Sequence, residues 1–403
     1  MSGELLILNS GSSSLKFAVY AMQETEADPE PRRRLRGQIT GLDREPRFQV
    51  QDADGGTVEA RDPSNGWDSF GQNEALDFLL TWLDREGDGQ PLHAAGHRVV
   101  HGGQDFQGAV RVTEEVLDRL EALVPLAPLH QPHNIAPIRS LAEARPDLFQ
   151  VACFDTAFHH TQSAVERRLA LPRHIAEQGV MRYGFHGLSY EYIAGALAQR
   201  LGKTETGQVV VAHLGSGASL AALRNGVSVA TTMGFTALDG LPMSTRCGAL
   251  DPGAVLYLLQ EKGMSSEEVT TLLYEQSGLL GISGISGDMR TLLNSDEPAA
   301  EEAVAVFVHR TVREIGALVA LLAGLDHLVF TGGIGEHSSP IRERICRQLE
   351  WLGVDLEPGA NGADAEQVQR DGSRVGVWVL PTDEERMIAQ HSLRLLQEDG
   401  PKS

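Results

Sequence analysis

Apolar and polar positions follow different periods along the chain, and each change of period marks an element. Glu4 to Tyr20 (ELLILNSGSSSLKFAVY) sets an apolar run, Leu5 to Leu8, ahead of Asn9. A second apolar segment, Leu15, Phe17 and Val19, follows a tip of small residues, Ser10 to Ser14. Two strand-type runs around a Gly/Ser tip predict a β-hairpin. Glu24 to Arg36, with Pro29, Pro31 and three consecutive arginines, predicts a solvated loop. Residues 35–60 predict further short strands, and Gly55 to Asn73 a polar, glycine-rich surface segment. From Asn73 to Asp84 the spacing of Leu76, Leu79, Leu80 and Leu83 predicts a helix with one apolar face. A strand over Ala94 to Val100 runs into His101, Gly102 and Gly103. Thr113 reads as the N-cap of a helix carrying Val116, Leu117, Leu120, Leu123 and Val124, with Glu114 and Glu115 in its first turn. The strand Gln150 to Phe154 then delivers Asp155 at its C-terminal end, where open α/β sheets place chemistry.

The pattern restarts beyond this point. A helix over Leu188 to Leu201 leads to a strand, Val209 to Ala212, and then to HLGSGASLAAL. Set against the first hairpin, Asn9 falls on His213, Gly11 on Gly215 and Ser12 on Ser216. Asn225-Gly226 predicts a tight hairpin turn. Ala303 to Leu322 predicts an amphipathic helix, followed by the strand Leu328 to Phe330 and a second glycine tip, Thr331 to Glu336. The chain closes with a strand, Arg374 to Leu380, and a helix from about Glu384 to Gln397. A duplicated α/β unit implies two similar domains facing each other across a cleft.

Composition narrows the picture. A chain of 403 residues allows roughly two to three domains, and 41% apolar with 22% charged residues is a soluble globular balance. No signal peptide is evident at the N-terminus, and the apolar run Ile315 to Leu325 is too short to span a bilayer. Cys153, Cys247 and Cys346 lack metal spacing and suit a reducing cytosol. A formal net charge of −21 argues against nucleic acid or an anionic membrane as partner. Any anion site must therefore gather its basic residues locally. The chain holds four lysines, and Lys16 stands beside the first tip, whose backbone N–H groups and hydroxyls suit phosphate oxygens.

Several loops carry candidate chemistry. In HRVVHGG, His97 and His101 stand four apart, which joins metal ligands on a helix. On a strand they lie about 13 Å apart, which rules out metal binding and leaves Arg98, whose guanidinium can grip a carboxylate or phosphate with two parallel bonds. LAPLHQPHN (Leu126 to Asn134) reads as a loop with two prolines, two histidines and an apolar wall. FDTAFHH presents Asp155, RYGFHGLS holds His186 just before a helix, and STRCGALDPG centres on Arg246. Each fragment alone also fits an ordinary surface arginine or core histidine; together they place two arginines, a carboxylate and a histidine on loops.

The motifs N-x-G-S-S-S-x-K (Asn9 to Lys16), H-R-V-V-H-G-G, F-D-T-A-F-H, R-Y-G-F-H-G, H-L-G-x-G, M-S-T-R-C-G, G-G-I-G-E and P-T-D-E-E (Pro381 to Glu385) resemble the acetate kinase family, in that family's order and over nearly the whole chain. The resemblance implies an α/β fold of two duplicated actin-like (ribonuclease H-like) domains, mixed sheets flanked by helices, with a nucleotide cleft between them. It implies domains of 1–154 plus a C-terminal helix of about 386–403, for the acyl substrate, and 155–385, for the nucleotide. The implied reaction is reversible transfer of the ATP γ-phosphoryl group to acetate, giving acetyl phosphate and ADP. Alternatives are a propionate or butyrate kinase of the same family, or a chaperone- or actin-type ATPase.

The resemblance also implies roles for particular residues. Asn9 and Glu384 hold Mg²⁺ (or Mn²⁺), and Ser12, Ser14 and Lys16 belong to the phosphate region. Arg98 and Arg246 hold acetate and the transferring group, with Asp155 between them, and His186 stabilises the transition state. His213, Leu214, Gly215, Ser216 and Gly217, then Asp288, Met289 and Arg290, then Gly333, Ile334, Gly335, Glu336 and His337 border ATP or ADP. Val100, Leu129 and Phe185 line the pocket for the acetate methyl. Three departures stand out. Ser216 and His337 replace asparagines of the family pattern, which leaves the preferred base open, and Ala237 stands where a proline often borders the acyl pocket, which loosens acetate selectivity. A cytoplasmic homodimer is implied as well.

Overall fold

The computed structural model describes residues 3–22, 31–42, 44–62, 70–86 and 90–399. These residues form two compact units, one running to Ala157 and resuming at Asp383, the other Phe158–Thr382.

In the first unit, β1 (Gly3–Gly11), β2 (Ser14–Met22), β3 (Arg32–Thr40), β4 (Arg47–Asp52), β5 (Thr57–Arg61), β6 (Leu92–Val99), β7 (Val110–Arg111) and β8 (Phe149–Phe154) form one sheet in the order β5-β4-β3-β2-β1-β6-β8-β7. β1 to β5 run antiparallel, while β1, β6 and β8 are mutually parallel neighbours. Leu15, Phe17 and Val19 of β2 alternate inward and pack with Phe48 and Val50 of β4 against Leu76 and Leu79 of the helix Gln72–Glu86. β1 is apolar without alternation because both of its faces are buried. Leu6 and Leu8 join that same core, and the C-terminal helix Glu384–Asp399 lies over the opposite face of β1, β6 and β8.

Two loop expectations change here. Arg32 to Arg36 are strand, with 24–30 outside the described residues. Within the arginine run, Leu35 and Ile39 keep the period of two that joins β3 to the core, while the charges are matched outside it. Arg33 pairs with Asp383, Arg34 with Glu4 and Arg36 with Glu385. The expected surface segment from Gly55 contains β5 and the start of the helix at Gln72, with 63–69 outside the described residues.

In the second unit, β9 (Gln208–Leu214), β10 (Ala218–Arg224), β11 (Val227–Thr231), β12 (His327–Thr331) and β13 (Gly376–Val379) form a sheet in the order β11-β10-β9-β12-β13. β9 to β11 are antiparallel, and β12 and β13 run parallel to β9. The arrangement β3-β2-β1-β6-β8 of the first unit is thus repeated. Asn225 and Gly226 both take positive φ, 52° and 77°, the geometry of a two-residue hairpin turn. Helix Gly187–Leu201 packs Tyr190, Ile193 and Leu197 onto Val209, Val211, Ala221 and Val329. The expected tip over Thr331 to Glu336 is instead a short helix, Gly332–His337. No helix of the described residues is long and apolar enough to cross a membrane.

Candidate active site

In the first unit the sheet register itself builds a cluster. Leu8 pairs with His97, and Val99 with Phe154, so Asn9, Arg98 and Asp155 emerge together at the carboxyl ends of β1, β6 and β8. Arg98 grips Asp155 in bidentate fashion, Nε to Oδ1 at 2.9 Å and Nη2 to Oδ2 at 2.6 Å. Its Nη1 donates to Asn9 Oδ1 at 3.3 Å, and Glu384, the first residue of the C-terminal helix, lies 3.7 Å from its Nε. Burial alone would push the guanidinium down; Asp155 and Glu384 more than reverse this and hold it protonated.

The segment after Arg98 is clamped by the helix Gln131–Ala144. Asn134 accepts the Val100 N–H at 2.9 Å and donates to the Ser10 carbonyl at 2.8 Å, tying this segment to the end of β1. The buried Gln131 accepts from the His101 N–H and donates to the His101 carbonyl. The expected loop Leu126 to Asn134 therefore ends in a helical first turn, with Pro132 placed where its missing N–H is harmless. His97 bonds Gln150 and His101 accepts from Gly103 N–H; burial lowers each to about 4, so both stand neutral at pH 7.

At the first tip, Gly11 pairs with Ser14 across Ser12 and Ser13, and the Gly11 carbonyl accepts from Gln72 at 2.6 Å. Lys16 stands directly opposite Asn9 and so shares its face of the sheet. Val100 is buried, whereas Leu129 is 39% exposed in the turn before the helix.

In the second unit, His186 takes a left-handed conformation (φ 58°) at the start of helix Gly187–Leu201. Its Nδ1 lies 2.8 Å from Ser219 Oγ, and its ring stacks on His213 with centroids 4.3 Å apart. His213 Nδ1 in turn bonds Ser189 Oγ at 2.8 Å. A side-chain carbon on Gly217 would stand 3.1 Å from His186 Nε2 and 3.7 Å from Arg246 Nη2, so both nitrogens close on the second tip. Arg246 is steadied by Nη1 donating to the Ala237 carbonyl at 2.8 Å, and its loop by Ser244 N–H donating to the Ser216 carbonyl at 3.2 Å. Phe185 is buried one residue before His186.

The remaining predicted residues join the same tip. Thr331 pairs with His213, which brings Gly333 N–H to within 3.8 Å of a carbon on Gly215. Gly332 has φ 75° and its missing Cβ would meet the Leu214 carbonyl at 2.8 Å, so glycine is required there. Glu336 accepts from Gly332 N–H at 2.8 Å, closing its own helix, while His337 is exposed. The fully buried Arg342 donates to the carbonyls of Gly335 and Glu336, each at 2.9 Å. Asp288 caps the short helix Met289–Leu293 through Thr291 N–H at 2.8 Å; Met289 is buried and Arg290 exposed, and Gly287 packs against the Ser244 carbonyl.

Gln131, Asn134, Ser189, Tyr190, Ser219 and Arg342 escape the sequence reading. Some signal was present: Ser189 and Tyr190 stand three and four residues after His186 on a helix, and Gln131 and Asn134 are three apart.

Comparison with known proteins agrees. The acetokinase family model matches residues 4–390. An acetate kinase of Rhodopseudomonas palustris (strain TIE-1) is 53% identical over 98% of this chain and 99% of its own length. One of Methylocella silvestris is 50% identical over 99% of both chains. Among solved structures, a propionate kinase from Francisella tularensis superposes with TM-score 0.88 at 34% identity, covering 96% of this chain and 98% of its own. A Porphyromonas gingivalis acetate kinase gives TM-score 0.85 at 33% identity, covering 98% and 100%. From its strand-end motifs to its paired sheets, this chain belongs to the acetokinase family.

Proposed function

We propose that the chain transfers the γ-phosphoryl group of ATP to acetate, reversibly and by direct in-line displacement, giving acetyl phosphate and ADP. The observation that carries this reading is the fixing of Arg98 at the strand ends by both oxygens of Asp155, with Asn9 and Glu384 beside it. Asp155 fixes the orientation of this guanidinium, so its remaining Nη–H groups meet an anion in transfer without reorganisation. The transferring phosphoryl group spreads its charge over three oxygens, so positioned cations do most of the catalysis. In this reading Arg98 and Arg246 hold acetate and the phosphoryl group, and His186 donates to it. Acetate has the ordinary carboxylic pKa of about 4 and is ionised at pH 7, so no general base is needed. Asp155 orients Arg98.

Asn9, Asp155 and Glu384 are drawn together around Arg98, and each carries a side-chain oxygen, the ligand type a hard divalent cation takes. Asn9 and Glu384 therefore suit Mg²⁺ or Mn²⁺, which when bound neutralises charge on phosphate oxygens. Residues 1–154 with the C-terminal helix serve the acyl substrate, together with the phosphate-binding Ser12, Ser14 and Lys16. Residues 155–385 serve the nucleotide through His213–Gly217, Asp288–Arg290 and Gly333–His337. Val100, Leu129, Phe185 and Ala237 set the acyl pocket, and the small Ala237 favours propionate as a second substrate. The enzyme works in the cytoplasm as a homodimer. The apolar helix Pro252–Gln260 has no buried residue, with Leu256 and Tyr257 more than half exposed, and a second copy covers it.

Trapping the acyl phosphate as a hydroxamate, with acetate, propionate and butyrate in parallel, tests the reading. ATP- and acetate-dependent hydroxamate is expected; none with any of the three acids would refute it.

A further inference from the structure

Behind His186 lies a chain of hydroxyls that the phosphoryl chemistry does not itself call for. Ser219 is completely buried on β10, directly opposite His213. Its Oγ lies 2.8 Å from His186 Nδ1 and also within bonding distance of the Tyr190 hydroxyl. Tyr190 is completely buried, one helical turn after His186, with its ring edge-on to His159 and His213.

Counting protons fixes the direction of these bonds. Burial pushes the Tyr190 phenol up, so it keeps its proton throughout the working pH range. Among the described residues the acceptor placed for that proton is Ser219 Oγ. A buried hydroxyl proton without an acceptor is costly, so Tyr190 donates and Ser219 accepts. Ser219 can accept twice but has one proton of its own, and among the described residues the acceptor placed for that buried proton is His186 Nδ1. That nitrogen must therefore accept, and the imidazole proton resides on Nε2. Nε2 is the atom aimed, with Arg246 Nη2, at the space beside Gly217.

We propose that Tyr190 and Ser219 are positioning residues that lock His186 in the Nε2–H tautomer, so that it meets the phosphoryl group as a donor. The inference rests on the proposed function for the identity of the anion, but the tautomer is a property of the unliganded protein. Without the relay, Nδ1 can take the proton and turn a lone pair toward an anion. The left-handed backbone at His186 and the stack on His213 hold the ring in place, so rotation offers no substitute.

The test reads the tautomer directly. Protein labelled with ¹⁵N at histidine is examined by long-range ¹H–¹⁵N correlation without substrate, with the His186 signals assigned by their loss in H186Q. The parent is expected to show Nδ1 unprotonated and Nε2 protonated. In Ser219→Ala both nitrogens should move toward the averaged shifts of a tautomer mixture, and Ser219→Thr should restore the parental pattern. Loss of a partner that orients a metal-ligating histidine costs about 10–100-fold, and the orienting role here is of the same kind. Ser219→Ala should accordingly lower kcat by about that factor with KM little changed, and Tyr190→Phe by less. A parental spectrum with Nδ1 protonated, or one left unmoved by Ser219→Ala, overturns the proposal. Because the spectrum needs no turnover, a parent that made no acyl phosphate would sink the proposed function and leave this result to stand or fall by itself.

Discussion

At the carboxyl ends of β1, β6 and β8 the first unit places Asn9, Arg98 and Asp155, whereas the matching ends of β9, β12 and β13 in the second hold His213, Thr331 and Leu380. The strand order around them is the same. In the first unit charges are exchanged between side chains, and the backbone turn at Gly11 and Ser14 is unstrained. In the second, glycines bring main chain against main chain, and ring nitrogens are set by serine hydroxyls. One scaffold thus carries two kinds of strand end, one built from paired side-chain charges and one from close backbone approach. The sheet supplies position alone; the two or three residues beyond each strand decide the chemistry.

The most severe break of this contrast removes a cation from each side. Arg98→Ala and Arg246→Ala should each lower kcat by at least about 10²-fold, because a lost donor to transition-state charge costs about 3–4 kcal/mol. Steady-state kinetics with circular dichroism as folding control reads this. Near-parental kcat in either variant would remove that arginine from the site.

Acid should separate the units next. Burial lowers His97, His101 and His159 to about 4 in the folded protein. The unfolded chain, with histidine near 6.5, binds more protons between about pH 6.5 and 4, so stability falls as pH drops through that window and is unaffected above it. Each such histidine withdraws on the order of 3 kcal/mol by the bottom of the window. Two of the three lie in the first unit; the second also holds His327, which burial lowers too, but that ring is only partly buried and shifts less. Hydrogen exchange followed by mass spectrometry at pH 7 and pH 5 should therefore show the first unit losing more protection; equal losses would contradict it.

Glycine substitutions probe the backbone side. Gly332→Ala must accept φ 75° and a contact of 2.8 Å with the Leu214 carbonyl, and should cost about 2–3 kcal/mol in denaturant unfolding. Gly11→Ala, whose nearest atoms would lie at 3.8 Å, should stay within about 0.5 kcal/mol. Equal costs would mean that the two tips are not different in kind.

The mildest effect concerns the acyl group. One methylene in an apolar pocket is worth about 1–3 kcal/mol, so propionate kcat/KM should lie within about a hundredfold of acetate. A proline at 237 keeps the carbonyl that Arg246 uses, so Ala237→Pro should shift the ratio toward acetate and leave activity intact. An unchanged ratio would take Ala237 out of the pocket.

Strand ends were legible to within about two residues, because apolar runs stop at Leu8, Val100 and Phe154, although β1 continues through Asn9 and Ser10 to Gly11 and the expected tip shrinks to Ser12 and Ser13. Thr113 reads correctly as an N-cap, its Oγ1 accepting from Val116 N–H at 3.3 Å. Arg32 to Arg36 were misread since three adjacent charges hide a period of two whose inward members are Leu35, Gly37 and Ile39. Gln131 and Asn134 look like loop residues beside two prolines, and only folding shows that Pro132 opens a helix around their amides. Buried partners such as Ser219 and Arg342 leave little trace, because a polar residue in a strand or helix does not announce which distant atom it meets.

The C-terminal helix has one more consequence. It seats against β6 where Gly96 leaves room, a carbon there standing 2.5 Å from Ser392 Oγ and 2.7 Å from Ile388. It also brings Glu384 to Arg98 and Glu385 to Arg36. During synthesis, the residues of the first unit leave the ribosome first, yet one face of their sheet stays uncovered until the last helix follows. Phe158–Thr382, a continuous segment, is complete before then. The unit whose residues are made earlier is closed later than its neighbour, and removal of Glu384–Asp399 strips the first sheet rather than the second.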